Sequence, residues 1–391
     1  MKRDKPVADS DHFAALTNNR WQSEYFGPSV PSFIKGLELS KIFFKEQVEP
    51  IIRENFPNLQ IAAGRLDYGS DVLGYDTELS RDHAWGPQAT LFLSERDRCS
   101  LKSDLDALLQ ERLPLDCRGY PTRMSQDFIW HTTPDGSGHH RVRIESIESF
   151  FAQELGFVPN SSMSHADWLA IPAQKLRVFA SGGIFVDDEG ALTAVRDALR
   201  WYPRDLWLHV MACQWQNILQ RAPFAGRCAH VGDFWGAAAN TQETFHELVL
   251  IAHLLEQRYP PYKKWLGSSL QELSIGSKLI ELAESARLAT SWPHMEDVTI
   301  EAYQLIANKH NTIADLPPAS PQVITFHSRP YRMIDIESIV SALKESISDK
   351  TIRELPFTAC ALWQFSNYDP ALCASETFLR YRQMLQEPFK N

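Results

Sequence analysis

The chain has 391 residues, 44% hydrophobic and 23% charged, enough to bury a sizeable core in two or three domains. Its 39 Lys and Arg against 49 Asp and Glu leave a net charge of −10, which excludes a duplex nucleic-acid binder and is compatible with a small cationic substrate. Six scattered cysteines without a Cys-x-x-Cys pair, no apolar run of membrane-span length and no apolar signal core point to a reduced, cytoplasmic protein away from membranes.

Residues 1–30 are read as an N-terminal extension. The first long helix is expected within "SVPSFIKGLELSKIFFKEQVEPIIRENFPN", where Phe33, Leu37, Phe44, Val48 and Ile51 recur at helical steps and Ser32 stands ready to cap. A short strand around Gln60–Gly64 leads into the loop "RLDYGSDVLGYDTELSRD", and a second strand is expected from about Asp82 through "ATLFL". Ser100 is placed as the cap of a helix carrying Leu101, Leu105, Leu108 and Leu109. "DFIWH" and "HHRVRIESI", joined by "TTPDGSG", read as a hairpin. Residues 31–150 thus form a small domain around a mixed sheet.

After about Phe150 the pattern turns helical, apart from a hairpin expected at "GGIFVDDEG". "NTQETFHELVLIAHLLEQRY" is the clearest helix, with Phe245, Leu248, Val249, Ala252 and Leu255 on one stripe before Pro260-Pro261. The proline-rich "ADLPPASPQ" ends this helical domain, taken as residues 151–313. A C-terminal segment, residues 314–391, is expected to pack on it, with a strand at "QVITFH", a helix from about Ile334 and a last helix at "SETFLRYRQMLQ". The fold class is α+β: a mixed-sheet domain followed by a helical bundle.

The chemistry concentrates in the loop. Gly69-Ser70 stands at a strand end, and eleven residues separate it from Asp82. Glycine allows close backbone approach, and successive N–H groups with a serine hydroxyl can cradle phosphate oxygens. Two carboxylates at i and i+2 on a strand face the same side and, with a third from a neighbouring strand, can hold Mg²⁺ for nucleotidyl transfer. Asp82 fills the first position, whereas Ala84 leaves the second empty. Glu145 in "RVRIES" is the candidate for the third, as ligand or base, subject to a strand register that a one-residue slip would reverse. The bland reading stands beside this one, because a lone Gly-Ser before an Asp is common and the loop's other acids suit solvated turns.

"YGSDVLGYDTELSRDHAWGP" resembles the signature of the domain-of-unknown-function 4037 family. The similarity continues in "GRCAHVGDFWGAAANTQETFHELVLIAHLLEQRYPPYKKWLG", "FHSRPYRMID" and "LWQFSNYDPAL", so it spans about residues 30 to 380. The resemblance implies a nucleotidyltransferase-like fold akin to aminoglycoside nucleotidyltransferases, with a catalytic sheet domain and a helical substrate-covering domain. Carried over residue by residue, Gly69, Ser70 and Asp82 match the general motif and Ala84 departs from it.

Other residues carry two readings each. Lys263 and Lys264 are candidates to steady a triphosphate, or are snorkelling surface lysines. Arg227 and Asp233 are candidates for the substrate cleft, or a surface ion pair. His83 is a cleft candidate, read more simply as a hydrogen-bonder to Asp82, and Trp85 either packs or stacks on a base. Arg329 and Asp369 are read as an ion pair locking the tail. His139 and His140 lack the helical spacing of metal ligands. The leading expectation is a Mg²⁺-dependent nucleotidyltransferase using ATP or another NTP and a small acceptor. The alternative, suggested by Ala84, is a nucleotide-binding regulatory protein without turnover. A third, other cleft chemistry such as phosphotransfer or acyl-adenylate ligation, has no residue in its favour.

Overall fold

In the computed structural model, which describes residues 31–80, 85–124, 138–160, 162–366 and 374–387, the chain forms two units. One comprises residues 1–147 and 181–193, the other residues 148–180 and 194–391.

The first unit opens on helix α1 (Gly36–Phe43), which passes through a widened π-type turn at Phe44–Val48 into α2 (Glu49–Asn55). Pro50 accounts for the widening. It has no N–H, and its ring crowds the carbonyl four residues back, so the Glu49 N–H bonds Phe44 O across a larger loop. Ser32 is not the cap. Its carbonyl accepts the Tyr120 hydroxyl at 3.1 Å. The first helical N–H, that of Gly36, is instead taken by Asp76 Oδ2 at 2.7 Å, so the helix starts where a distant carboxylate meets it.

Strands β1 (Ala62–Arg65), β2 (Ala89–Leu93), β3 (Val142–Ser146) and β4 (Gly183–Asp187) make one sheet in the order β3-β2-β1-β4. β1 is antiparallel to β2 and β4, and β2 is parallel to β3. Ala63, Ala89, Leu91, Leu93, Val142 and Ile144 turn one face toward Leu39, Phe43, Phe44 and Val48 of the first helix. Leu105 and Leu109 of α3 (Glu95–Arg112) complete that core. β2 is buried along its whole length, as a central strand with both faces covered must be.

Four local expectations change. The second strand begins at Ala89, since residues 85–88 bend, and Asp82 lies outside the described residues. α3 starts earlier than expected because Ser94 is its cap, accepting Asp97 N at 3.1 Å, while Ser100 sits inside and donates to Arg96 O. Of the expected hairpin, Arg123–Met124 pairs with His139–His140, residues 125–137 are outside the described residues, and β3 leaves to join β2 in parallel. "GGIFVDDEG" supplies one strand, β4, that extends the sheet beside β1.

In the second unit, helices Arg204–His230 and Phe234–Leu255 pack along each other. The latter begins at Phe234, earlier than its apolar stripe suggests, because Asp233 accepts Gly236 N at 2.8 Å and caps it. Trp207 Nε1 donates to Leu254 O at 2.8 Å, and buried Glu247 accepts Arg221 Nη1 at 2.8 Å. Gly226 admits the Tyr331 ring, whose Cδ1 lies 2.5 Å from where a Cβ would stand. The tail forms a strand pair, Val323–Thr325 with Arg332–Ile334, then helix Ile336–Glu345 capped by Asp335, and helix Ser375–Gln386. A mixed sheet in one unit and helices in the other make the α+β architecture expected from the sequence. No described helix is long and apolar enough to cross a membrane.

Two buried histidines of the helical unit are held neutral. His209 Nε2–H donates to Ala359 O at 2.8 Å. His253 Nδ1–H donates to Val249 O at 2.8 Å, and its Nε2 accepts the Ser269 hydroxyl at 3.0 Å. Burial pulls both from 6.5 down to about 4. Between those values the unfolded chain binds protons that the fold refuses. Stability is therefore full above the unfolded value and falls as pH drops toward the folded one, by on the order of 1–3 kcal/mol per histidine. Urea midpoints measured at pH 7.5, 6 and 5 are expected to fall stepwise, and His253→Gln to flatten part of that slope. A midpoint independent of pH would contradict neutral burial.

Candidate functional site

β1 runs off its C-terminal end into a tight turn. Leu73 N bonds Gly69 O at 3.4 Å, Gly74 N bonds Asp71 O at 3.0 Å, and Tyr75 N bonds Ser70 O at 2.9 Å. Gly74 closes it at φ +79°, in the left-handed region that suits glycine. Gly69 is required for a different reason: a Cβ there would stand 2.0 Å from Asp71 Oδ1 and 3.2 Å from Arg65 Nη2. The backbone at Gly69-Ser70 therefore lies flush on a buried ion pair. Arg65, 1% exposed, gives Nη2 to Asp71 Oδ2 at 3.0 Å and Nη1 to Asp67. Burying the Arg65 and Asp71 charges is tolerable because they face each other at contact distance, while Asp67 keeps part of its side chain in water.

Asp76 joins the turn to the rest of the unit. Fully buried, it accepts Gly36 N at 2.7 Å and Trp85 Nε1 at 2.9 Å through Oδ2, and Lys35 Nζ stands 3.5 Å from Oδ1. Trp85 is a packing residue by its geometry. Its ring stacks on Phe33 at 6.0 Å and meets Tyr120 edge-on at 5.0 Å. Beside it, Gly86 at φ +122° lies against Arg141, whose Nη1 would be 2.5 Å from a Cβ there. Arg141 Nη1 donates to Trp85 O at 2.8 Å. Burial, then repulsion from Arg65, pull Arg141 down to about 9, and Asp71 opposes them.

Asp82, His83 and Ala84 lie outside the described residues. Glu145 is not brought to the Gly69-Ser70 end. In the sheet it shares a row with Phe92 and Ala62, while the turn follows Arg65, three residues further along β1. At about 3.3 Å per residue that is on the order of 10 Å of strand. The expected meeting of Glu145 with Asp82 falls on a residue outside the described ones; β3 runs parallel to β2, so it is the N-terminal end of β3, with Arg141 just before it, that lies at the end of the sheet where the turn leaves. Glu145 is buried and pairs with Arg143 Nε at 3.2 Å.

In the second unit Arg227 is exposed on a last helical turn, and Asp233 is the helix cap described above, so the two are not a paired clamp. Lys263 and Lys264 are exposed. Lys264 Nζ sits 4.9 Å over the Trp265 ring, and Lys263 lines a cleft with His246, Tyr262 and Trp363. Lys263 and Arg221, after burial, hold the His246 imidazole below its ordinary value. Arg329 is exposed, and Asp369, its expected partner, is outside the described residues.

Asp106, His139 and His140 bring ligand atoms within 4.8 Å of one another. His140 Nδ1 accepts the Val142 N–H at 3.1 Å, so its Nε2 carries the proton and donates to Asp106 O at 3.2 Å. Both ring nitrogens of His140 are thus engaged in hydrogen bonds within this unit.

Sequence reasoning missed Arg65, Asp76 and Arg141. Arg65 had a signal, a lone arginine inside the strand-like run "IAAGRL", where a charge requires buried partners. Arg141 looked like any alternating residue of "HHRVRIES", and only the sheet topology reveals where it ends.

The sequence model of the family described as domain of unknown function (DUF4037) matches residues 168–266. The resemblance read from the sequence is met over that stretch. No curated protein matches the chain. A solved structure, a nucleotidyltransferase-like protein from Exiguobacterium sibiricum 255-15, is similar at 14% identity with a TM-score of 0.32, over 73% of this chain and 83% of that one. So distant a likeness decides neither fold nor chemistry, which stand on this chain's own residues.

Two substitutions probe the turn. Gly69→Ala drives a methyl group into the Asp71 carboxylate and is expected to cost about 1–3 kcal/mol in a urea melt. Asp76→Ala strands the buried Gly36 and Trp85 N–H groups and is expected to cost roughly 2–5 kcal/mol. Wild-type stability in either would show that the packing described does not hold the turn.

Proposed function

We propose that the chain is a nucleotidyltransferase that moves a nucleoside monophosphate from a nucleoside triphosphate, ATP first, onto the hydroxyl of a small and cationic acceptor. The observation that supports this best is the Gly69-Ser70 turn at the end of a central strand, where the Cβ-free Gly69 lies against the Arg65–Asp71 ion pair and lets the backbone approach a ligand closely. In the reaction the acceptor oxygen bonds the α-phosphorus while the α–β bridging P–O bond breaks. The hydroxyl proton passes to a base or water, and pyrophosphate leaves with the developing charge. The chain's own contribution is positioning and charge neutralisation, which dominate phosphoryl transfer.

The described loop carboxylates do not fit a Mg²⁺ site. Asp67 and Asp71 are bound to Arg65, and Asp76 to Gly36 N, Trp85 Nε1 and Lys35. The proposed Mg²⁺ dependence therefore belongs to Asp82, and no step is routed through a metal here. Lys263 and Lys264 enter the proposal as nucleotide-binding residues of the second unit.

Ala84 favours a second reading, in which the chain binds nucleotide and does not turn it over. Pyrophosphate release from each NTP, with Mg²⁺ and a mixture of small amino-bearing alcohols, separates the two. Transfer requires release that Asp82→Ala lowers by roughly 10²-fold or more. A nucleotide-dependent thermal shift with no Asp82-dependent release from any NTP selects the binding protein and rejects transfer.

A further inference from the structure

Two buried guanidinium groups at one end of the sheet are matched unequally. Arg65 gives Nη1 to Asp67 and Nη2 to Asp71, and only its Nε is without a partner among the described residues. Arg141 is 7% exposed, and among the described residues its guanidinium makes one hydrogen bond, from Nη1 to the Trp85 carbonyl at 2.8 Å. Its Nε and Nη2 have no partner among the described residues. Those two nitrogens form the side-on edge of the guanidinium fork, with two parallel N–H bonds at the spacing of two oxygens on one phosphate or carboxylate group. A buried cation with a whole edge unmet is costly and calls for a physical account, of which an anion from outside the chain is one.

The neighbours narrow what completes it. Asp71 offsets part of the charge, but Arg65 already holds its carboxylate, and Arg65 itself repels Arg141. The backbone at Gly86 has no Cβ against Nη1, so this stretch of chain lies directly on the guanidinium. We infer that Arg141 is an oxyanion-binding residue whose Nε–Nη2 edge takes two oxygens of a phosphate group beside the Gly69-Ser70 turn. The assignment of phosphate rather than carboxylate rests on the proposed nucleotidyl transfer, whereas the open edge is an independent observation. The edge is closed to bulk water, so an anion that completes it stabilises the fold by the free energy of its binding.

Calorimetric titration with sodium pyrophosphate, without Mg²⁺ or acceptor, tests this on the full chain. Wild type is expected to bind and to gain thermal stability. Arg141→Met removes the unmet charge, so the ligand-free protein should melt about 2–4 °C higher while pyrophosphate binding weakens by at least ~10-fold. Arg141→Lys keeps a cation and a donor for the Trp85 carbonyl but loses the fork. It should weaken binding ~10-fold with little change in melting, and it carries the test if Arg141→Met does not fold. No pyrophosphate binding by wild type, or unchanged affinity in the variants, overturns the inference and leaves Arg141 as a strut for the Trp85 carbonyl. Arg141-dependent binding without turnover supports the site while rejecting transfer. Turnover unaffected by either variant does the reverse.

Discussion

The Asp76 carboxylate ties together three stretches that sequence holds far apart. Itself fully buried, it receives the first N–H of α1 at Gly36, the Trp85 indole and the charge of the half-exposed Lys35. A helix N-terminus favours a carboxylate both by its free N–H groups and by its dipole, so this one contact sets where α1 begins and fixes the loop beneath it. The Trp85 ring, held by its N–H, then packs between Phe33 and Tyr120 and closes that edge of the core. Lys35 Nζ, which donates to Gly74 O at 3.2 Å, and the close approach of Gly36 to Asp71 hold the turn against the same helix start.

Around that anchor the unit gathers acids and bases in close pairs. Lys35 meets Asp76, and Arg65 meets Asp67 and Asp71. Such pairing makes a buried polar cluster tolerable, because each charge is solvated by the other rather than by water. Arg65 Nε also lacks a hydrogen-bond partner among the described residues, but Arg141 differs in having both nitrogens of one fork edge, Nε and Nη2, unmet.

Local structure was legible where periodicity decides it. The apolar steps of the first helix and the short strands at Ala62–Arg65 and Ala89–Leu93 follow from side-chain pattern alone. The start of α1 was not legible, because its cap comes from Asp76 rather than from Ser32 beside it. Nor was the partner of Gly183–Asp187, because a five-residue strand carries no record of which edge it will join. The Gly69-Ser70 turn could be located from its residues. The ion pair beneath it could not, since Arg65 and Asp71 come together only when the chain doubles back.

The direction of one strand changes the chemistry available at the turn. Had β3 run antiparallel to β2, its C-terminal residues, Glu145 among them, would have approached the Gly69-Ser70 end. It runs parallel, Ala89 beside Val142 and Phe92 beside Glu145, so that end receives Arg141 instead. A guanidinium where a carboxylate was expected shifts the balance from holding metal toward holding phosphate. Ala84 shifts it the same way by withdrawing a second carboxylate from the sequence. For transfer to proceed on such a scaffold, Asp82 must carry the metal's share while fixed cations carry part of the charge on the leaving pyrophosphate. On the proposed reading, an Asp82 that held no metal would leave those cations the role of binding alone, because binding needs the phosphate held and not the bond broken.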